Sequence, residues 1–278
     1  MIGIFDSGAG GLSVWKELVK LKPQEPYIYI SDTAFCPYGP KDPSLITERS
    51  KTIVNYLISK GVDIIVIACN TATAAAIKTL RENYSIPFIG MEPAIKPASK
   101  FTKSGVVGVL ATKGTFKGSL YLETSEKYAK NIEVIEIVGE GLVEIVEQGE
   151  EKSEKARELV AKYISSMIEH GADTVVLGCT HYPFIAPIIK EIAKGKLKII
   201  NPAPAVAKRA IKILRETTTD KKLQDSQFCE NIIATTGDST VILKKLTAEI
   251  IEELKQSGKF TDSDLQPIVN QKFINIKI

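Results

Sequence analysis

The sequence predicts an α/β fold of two similar doubly wound parallel-sheet domains, related by pseudo-two-fold symmetry, with a site in the cleft between them. Short β-branched runs alternate with longer amphipathic stretches from one end of the chain to the other, the order that builds parallel βαβ units. The chain also resembles itself. Ile2-Gly3-Ile4-Phe5-Asp6 matches Val107-Gly108-Val109-Leu110-Ala111, the block from Gly61 to Cys69 matches that from Gly171 to Cys179, and Pro93-Ala94-Ile95 matches Pro204-Ala205-Val206, at offsets of 105, 110 and 111. Three ordered blocks at a near-constant offset describe two related halves, each with a helix-glycine-strand-cysteine unit.

Residues 2–5, 27–30, 64–68 and 87–89 read as strands, apolar at successive positions because a parallel sheet is covered on both faces. Residues 12–21 and 44–60 carry apolar side chains at helical spacing, the second stretch opened by Asp42-Pro43 as cap and first residue and closed at Gly61. The second copy ends near Val206, so the last stretch is expected to return to the first half. Residues 1–95 with 207–278 then form a discontinuous first domain holding Asp6 and Cys69, and residues 96–206 a second holding Glu147, Cys179 and His181.

Composition excludes several classes of function. The 278 residues, 44% apolar and 25% charged, have the balance of a folded globular chain, and the length rules out a disulfide-stapled miniature. A net charge of +3 without a basic cluster argues against a nucleic-acid partner. No apolar run reaches the roughly 20 residues that span a bilayer, so no membrane association is expected. The first residues lack the pattern of a secretory signal, which makes the cytoplasm the expected location. Cysteines there stay reduced, and Cys36, Cys69, Cys179 and Cys229 are too scattered for a paired zinc motif, so no metal is expected.

Two of those cysteines carry the chemistry. Ligands of open α/β sheets bind beyond the carboxyl ends of the strands, where Cys69 and Cys179 stand. A free cysteine commonly packs as a small hydrophobe, but Cys69 is followed by Asn70-Thr71-Ala72-Thr73 and Cys179 by Thr180-His181-Tyr182-Pro183. Such polar surroundings suit reactive groups. Two thiols approaching one molecule from opposite halves suit removal of a proton from one face of a carbon and delivery of another to the opposite face, which is racemisation or epimerisation. A thiol titrates near roughly 8.5, so both protonation states are within reach at neutral pH. His181 stands two residues from Cys179 and can exchange a proton with it or stabilise its thiolate, whereas His170 fits a helix C-terminus. Asp6-Ser7-Gly8-Ala9-Gly10-Gly11 forms a glycine-rich turn with main-chain N–H groups for an anion. Its spacing is not the dinucleotide pattern, no Walker lysine follows, and Asp6 would repel phosphate while pairing with an ammonium group or tuning Cys69. Pro37-Tyr38-Gly39-Pro40 reads as a loop forming a pocket wall. Cys36 and Cys229 have no partner in the repeat.

Four motifs together, residues 5–14, Pro37-Tyr38-Gly39, Ala68-Cys69-Asn70-Thr71-Ala72 and Gly178-Cys179-Thr180-His181-Tyr182-Pro183, strongly resemble the glutamate racemases of bacterial cell-wall synthesis, with Thr235-Thr236-Gly237-Asp238 as a further match. The resemblance implies a racemase with no cofactor that interconverts L- and D-glutamate by a two-thiol mechanism and supplies D-glutamate to peptidoglycan. Its members are often dimers, so it also implies a homodimer. Carried over by position, Cys69 acts on D-glutamate with Asp6 beside it, and Cys179 acts on L-glutamate assisted by His181. Glu147 matches an acidic residue near the family's site, although its own sequence context is that of a solvated helix charge. Ser7, Tyr38, Gly39, Asn70, Thr71 and Thr180 match residues that hold the amino acid's polar groups, and Thr112 and Thr115 join them. The chain departs from the family at Gly139-Glu140, where a Cys-Pro pair is common, and at Asn201-Pro202, where an Asp is common. Two rivals stand beside this expectation: a racemase of aspartate or another small acid, and a two-lobed amino-acid-binding protein without chemistry.

Overall fold

The computed structural model describes residues 1–217 and 230–278. Strands and helices alternate as β1 (Ile2–Asp6), α1 (Leu12–Leu21), β2 (Tyr27–Ser31), α2 (Pro43–Ser59), β3 (Ile64–Ile67), α3 (Asn70–Asn83), β4 (Phe88–Gly90) and α4 (Ile95–Phe101). They continue as β5 (Val106–Ala111), α5 (Lys113–Phe116), α6 (Ser119–Tyr128), β6 (Glu133–Val138), α7 (Leu142–Glu147), α8 (Glu154–Glu169), β7 (Thr174–Gly178), α9 (Tyr182–Ala193) and β8 (Lys198–Ile200). The last elements are α10 (Ala203–Thr217), β9 (Ile232–Thr235), α11 (Thr240–Gln256), α12 (Asp262–Val269) and β10 (Lys272–Asn275).

The strands form two sheets, one of six in the order β10-β9-β2-β1-β3-β4 and one of four in the order β6-β5-β7-β8. All strand pairings described are parallel. The order β2-β1-β3-β4 recurs as β6-β5-β7-β8, so the internal similarity of the sequence corresponds to one topology used twice, with β9 and β10 extending the first sheet. Every residue of β1, β2 and β3 is buried, because helices cover both faces.

Local chemistry sets the helix ends. Asp42 accepts from the Ser44 N–H at 2.8 Å, Pro43 opens α2, and Gly61 beyond its end takes a φ of 76°. Along α1, Leu12, Val14, Trp15, Leu18 and Val19 face inward, each fully buried side chain of this kind contributing roughly 1.5–3 kcal/mol. The apolar cluster they join crosses from one sheet to the other, through Val143 and Val146 of α7, Ile185 of α9 and Leu243 of α11. The anticipated boundary at 206/207 falls inside α10, which packs on α1, β3 and β4. At the start of that helix Asn201 Oδ1 accepts from the Ala203 N–H at 3.0 Å. Among the described residues, no helix is long and apolar enough to cross a membrane.

Candidate active site

Three strands deliver the reactive groups from their carboxyl ends. Asp6 is the last residue of β1, Cys69 follows β3 and caps α3, and Cys179-Thr180-His181 links β7 to α9. Ser7, Tyr38, Gly39, Cys69, Asn70, Thr71, Cys179, Thr180 and His181 line one cavity with Pro37, Thr112, Thr115 and Val143. Val143 is the wall residue that no sequence signal marked. The cavity measures about 20 Å³, room for about one water molecule. An amino acid enters only if the walls part.

The two thiols sit in different settings. Cys69 Sγ accepts from the Ala72 N–H at 3.4 Å and lies 3.8 Å from Ser7 Oγ. Burial pushes this thiol well above its ordinary range, and the neighbouring Asp6 carboxylate adds to the effect. Cys179 Sγ lies 3.6 Å from His181 Nδ1. Cys69 is the N-cap of α3, where unpaired N–H groups favour negative charge.

Behind the cavity wall, Asp6 and Glu147 fix the groups in front of them. Fully buried Asp6 accepts from Ser7 N at 2.7 Å, from Gly11 N and from Thr180 Oγ1 at 3.1 Å. Its carboxyl is raised by burial against the opposing pull of His181. Glu147, last residue of α7, accepts from Ala9 N and from His181 Nε2, both at 2.6 Å. Burial alone would raise Glu147 and lower His181. The hydrogen bonds outweigh it, holding the Glu147 carboxyl below its ordinary value and the imidazole well above. Glu147 is therefore a partner of His181 rather than a solvated helix charge.

Cys36 is the residue the sequence reading underestimated. Its sulfur, Glu147 and His181 bring ligand-type atoms within 4.8 Å of one another, and burial and the Glu147 charge push its thiol strongly upward. Glu147 and His181 already bond each other, and Cys36 does not line the cavity. The glycine turn has a steric role as well: a Cβ on Gly10 would stand 2.4 Å from His181 Nδ1. At the departure Gly139, a Cβ would stand 2.4 Å from the Tyr182 hydroxyl, which donates to the Gly139 carbonyl at 3.2 Å. His170 is exposed at the end of α8, its Nδ1 2.7 Å from the Ser166 carbonyl. Cys229 lies outside the described residues.

Duplicated α/β halves with a thiol from each beside one enclosed cavity define an enzyme of the racemase class. A model of the family Asp/Glu/Hydantoin racemase matches residues 5–210, and the chain belongs to this family, among its glutamate racemases. The glutamate racemase of Herpetosiphon aurantiacus is 46% identical over 213 residues, 77% of this chain and 84% of that protein. The crystal structure of Escherichia coli glutamate racemase in complex with L-glutamate and the activator UDP-MurNAc-ala is similar at a TM-score of 0.82 and 28% identity, covering 99% of this chain and 96% of that one. That of glutamate racemase from Francisella tularensis subsp. tularensis in complex with D-glutamate has a TM-score of 0.75 at 28% identity, covering 100% and 96%.

Proposed function

We propose that this chain interconverts L- and D-glutamate by two-thiol proton exchange, without a metal or organic cofactor, and that the D-glutamate formed supplies peptidoglycan. The observation that carries the mechanism is the pair of strand-end thiols, Cys69 and Cys179, one from each half, that line the same cavity. Glutamate as the substrate is supported by the relatives at 46% and 43% identity, both glutamate racemases. The lobes of this reading are residues 1–95 with 207–278, and residues 96–206.

L-Glutamate binds with its α-carbon between the sulfurs. Cys179, as thiolate beside the His181 imidazolium, takes the α-proton, and the electron pair of the C–H bond moves toward the α-carboxylate. Cys69, held as a thiol by its burial, delivers its proton to the opposite face and is left as thiolate. D-Glutamate reacts by the reverse steps from the complementary protonation state. Main-chain N–H groups at the start of α3 and the hydroxyls around them hold the carboxylate as it gains enolate character. Asn70 Oδ1, buried with no hydrogen-bond partner among the described residues, is an acceptor for the substrate ammonium. Thr71, Thr112 and Thr115, whose hydroxyls lie 2.9 and 3.0 Å apart in series, are donors for the second carboxylate.

Polarimetry tests the reading. L-Glutamate incubated with dialysed protein and chelator should lose its rotation completely, whereas dependence on added metal or pyridoxal phosphate would overturn it. Binding of glutamate without turnover would favour the two-lobed binder. Cys69→Ala and Cys179→Ala should each lose roughly 10²–10⁴-fold in turnover. Cys36→Ser should stay within a few-fold, and a loss matching that of Cys179→Ala would show that the wrong thiols are paired.

A further inference from the structure

The strand end Thr235-Thr236-Gly237 does not line the cavity. Polar contacts run from it instead to residues 32–34, which lead into the cavity-lining residues 37–39. Thr33 and Thr235 hydroxyls lie 2.5 Å apart, the Gly237 N–H donates to Thr33 Oγ1 at 3.1 Å, and Thr236 Oγ1 accepts from the Ala34 N–H at 3.2 Å. The Thr236 hydroxyl also donates to Asp32 Oδ1 at 2.8 Å.

Asp32 is the centre of this assembly. It is fully buried just beyond β2, and besides Thr236 it accepts from the Tyr38 hydroxyl at 2.5 Å and from Arg49 Nε and Nη2 at 3.1 and 2.7 Å. Arg49 reaches in from α2, stacks over the Phe35 ring at 4.2 Å and donates its remaining nitrogen to the Ile278 carbonyl at 3.0 Å. A forked guanidinium–carboxylate pair tolerates little change of angle. A buried carboxylate that loses a donor is costly, so the network has one good arrangement. Tyr38 lines the cavity while its hydroxyl is held by Asp32. Gly39 beside it faces the second half, where its added Cβ would stand 3.2 Å from Thr112 Cβ.

We infer that Asp32, Arg49 and Thr236 are positioning residues that hold the 37–39 wall at the separation from Thr112 that accepts the substrate, so that they govern substrate binding rather than proton transfer. This rests on the racemase reading above and assigns a role to a strand end that takes no part in the chemistry. None of the three residues lines the cavity, so their loss should appear in KM.

The test compares Thr236→Val, which keeps the shape and removes the hydroxyl, with Arg49→Lys and Arg49→Met. For Thr236→Val, KM for both enantiomers should rise roughly five- to tenfold while kcat stays within about threefold. Arg49→Met should raise KM further, with Arg49→Lys between it and the wild type. Hydrogen exchange should accelerate over residues 33–40 and not along β1 or β3, a readout that needs no turnover. Unchanged KM in folded Thr236→Val and Arg49→Lys proteins, kcat falling as far as KM rises, or exchange over 33–40 at the wild-type rate would each overturn the inference. A wild-type protein that leaves glutamate unchanged would overturn the racemase reading instead, and faster exchange over 33–40 in the variants would then still support the wall assembly itself.

Discussion

His181 faces two partners with its two ring nitrogens, Cys179 Sγ 3.6 Å from Nδ1 and Glu147 Oε1 2.6 Å from Nε2. Asp6 influences Cys69 but also accepts from Thr180, the neighbour of Cys179. The helpers are therefore unequal in reach. His181→Asn should slow deprotonation of L-glutamate far more than that of D-glutamate, and Asp6→Asn should show a weaker bias in the reverse sense. The Haldane relation makes kcat/KM fall equally in both directions, so the asymmetry belongs to kcat and to primary isotope effects with α-deuterated substrates. Identical isotope effects in both directions for both variants would rule out one helper per thiol. The Glu147–His181 pair also sets a pH window for stability. His181 is raised in the fold, so its contribution is complete below the ordinary histidine value of 6.5 and is lost as pH rises through the folded value. Glu147 is lowered, so its contribution is complete above the ordinary 4.5 and is lost as pH falls through the folded value. Glu147→Gln, which strands a buried imidazolium, should cost roughly 3–5 kcal/mol in that interval. In urea titrations the deficit should shrink toward acid; a deficit constant with pH would show that the pair is not charged. The thiols were legible in the sequence because each ends an apolar run beside hydroxyls and amides. Glu147 was legible only through the family resemblance and Cys36 not at all, since they meet His181 only through contacts between distant segments.

Catalytic geometry depends on short elements as much as on single side chains. Helix α7 has six residues, too few for hydrophobic periodicity to announce it, whereas α2 was legible from Asp42-Pro43 and Gly61. What α7 lacks in length it gains from contacts at its end. Glu147 meets Ala9 there, and beyond it Lys245 of α11 donates to the Gly149 carbonyl at 2.7 Å and to Glu151 Oε1 at 2.9 Å. Glu151 is buried, its second oxygen without a hydrogen-bond partner among the described residues. Removing the lysine leaves a carboxylate in the interior without its counter-charge. Lys245→Met should therefore cost roughly 1.5–3 kcal/mol in urea unfolding, and adding Glu151→Leu should recover much of it, the signature of a coupled pair in a double-mutant cycle. Additive losses would show that the two residues act independently.

At the scale of the whole molecule, two copies of one topology meet around a cavity of about 20 Å³, room for about one water molecule. The duplication itself was legible as repeated sequence blocks. The surface on which the halves meet was not, because its determinant is an absence of side chains. Gly114 of α5 and Gly118 before α6 bring these elements against the first half: a Cβ on Gly114 would stand 2.8 Å from Thr71 Cγ2 and 3.0 Å from the Gly39 carbonyl oxygen, and one on Gly118 2.4 Å from Ala74 Cβ. Neither glycine takes a positive φ, so the requirement is for space, not for backbone freedom. Alanine is the better helix former by about 1 kcal/mol, which separates the two effects in one substitution. Gly114→Ala should leave unfolding in urea at least as unfavourable as in the wild type while holding the halves apart at Thr71 and Gly39, raising KM for glutamate roughly tenfold or more. A Gly114→Ala protein with wild-type KM and kcat would mean that the working enzyme does not close on this surface.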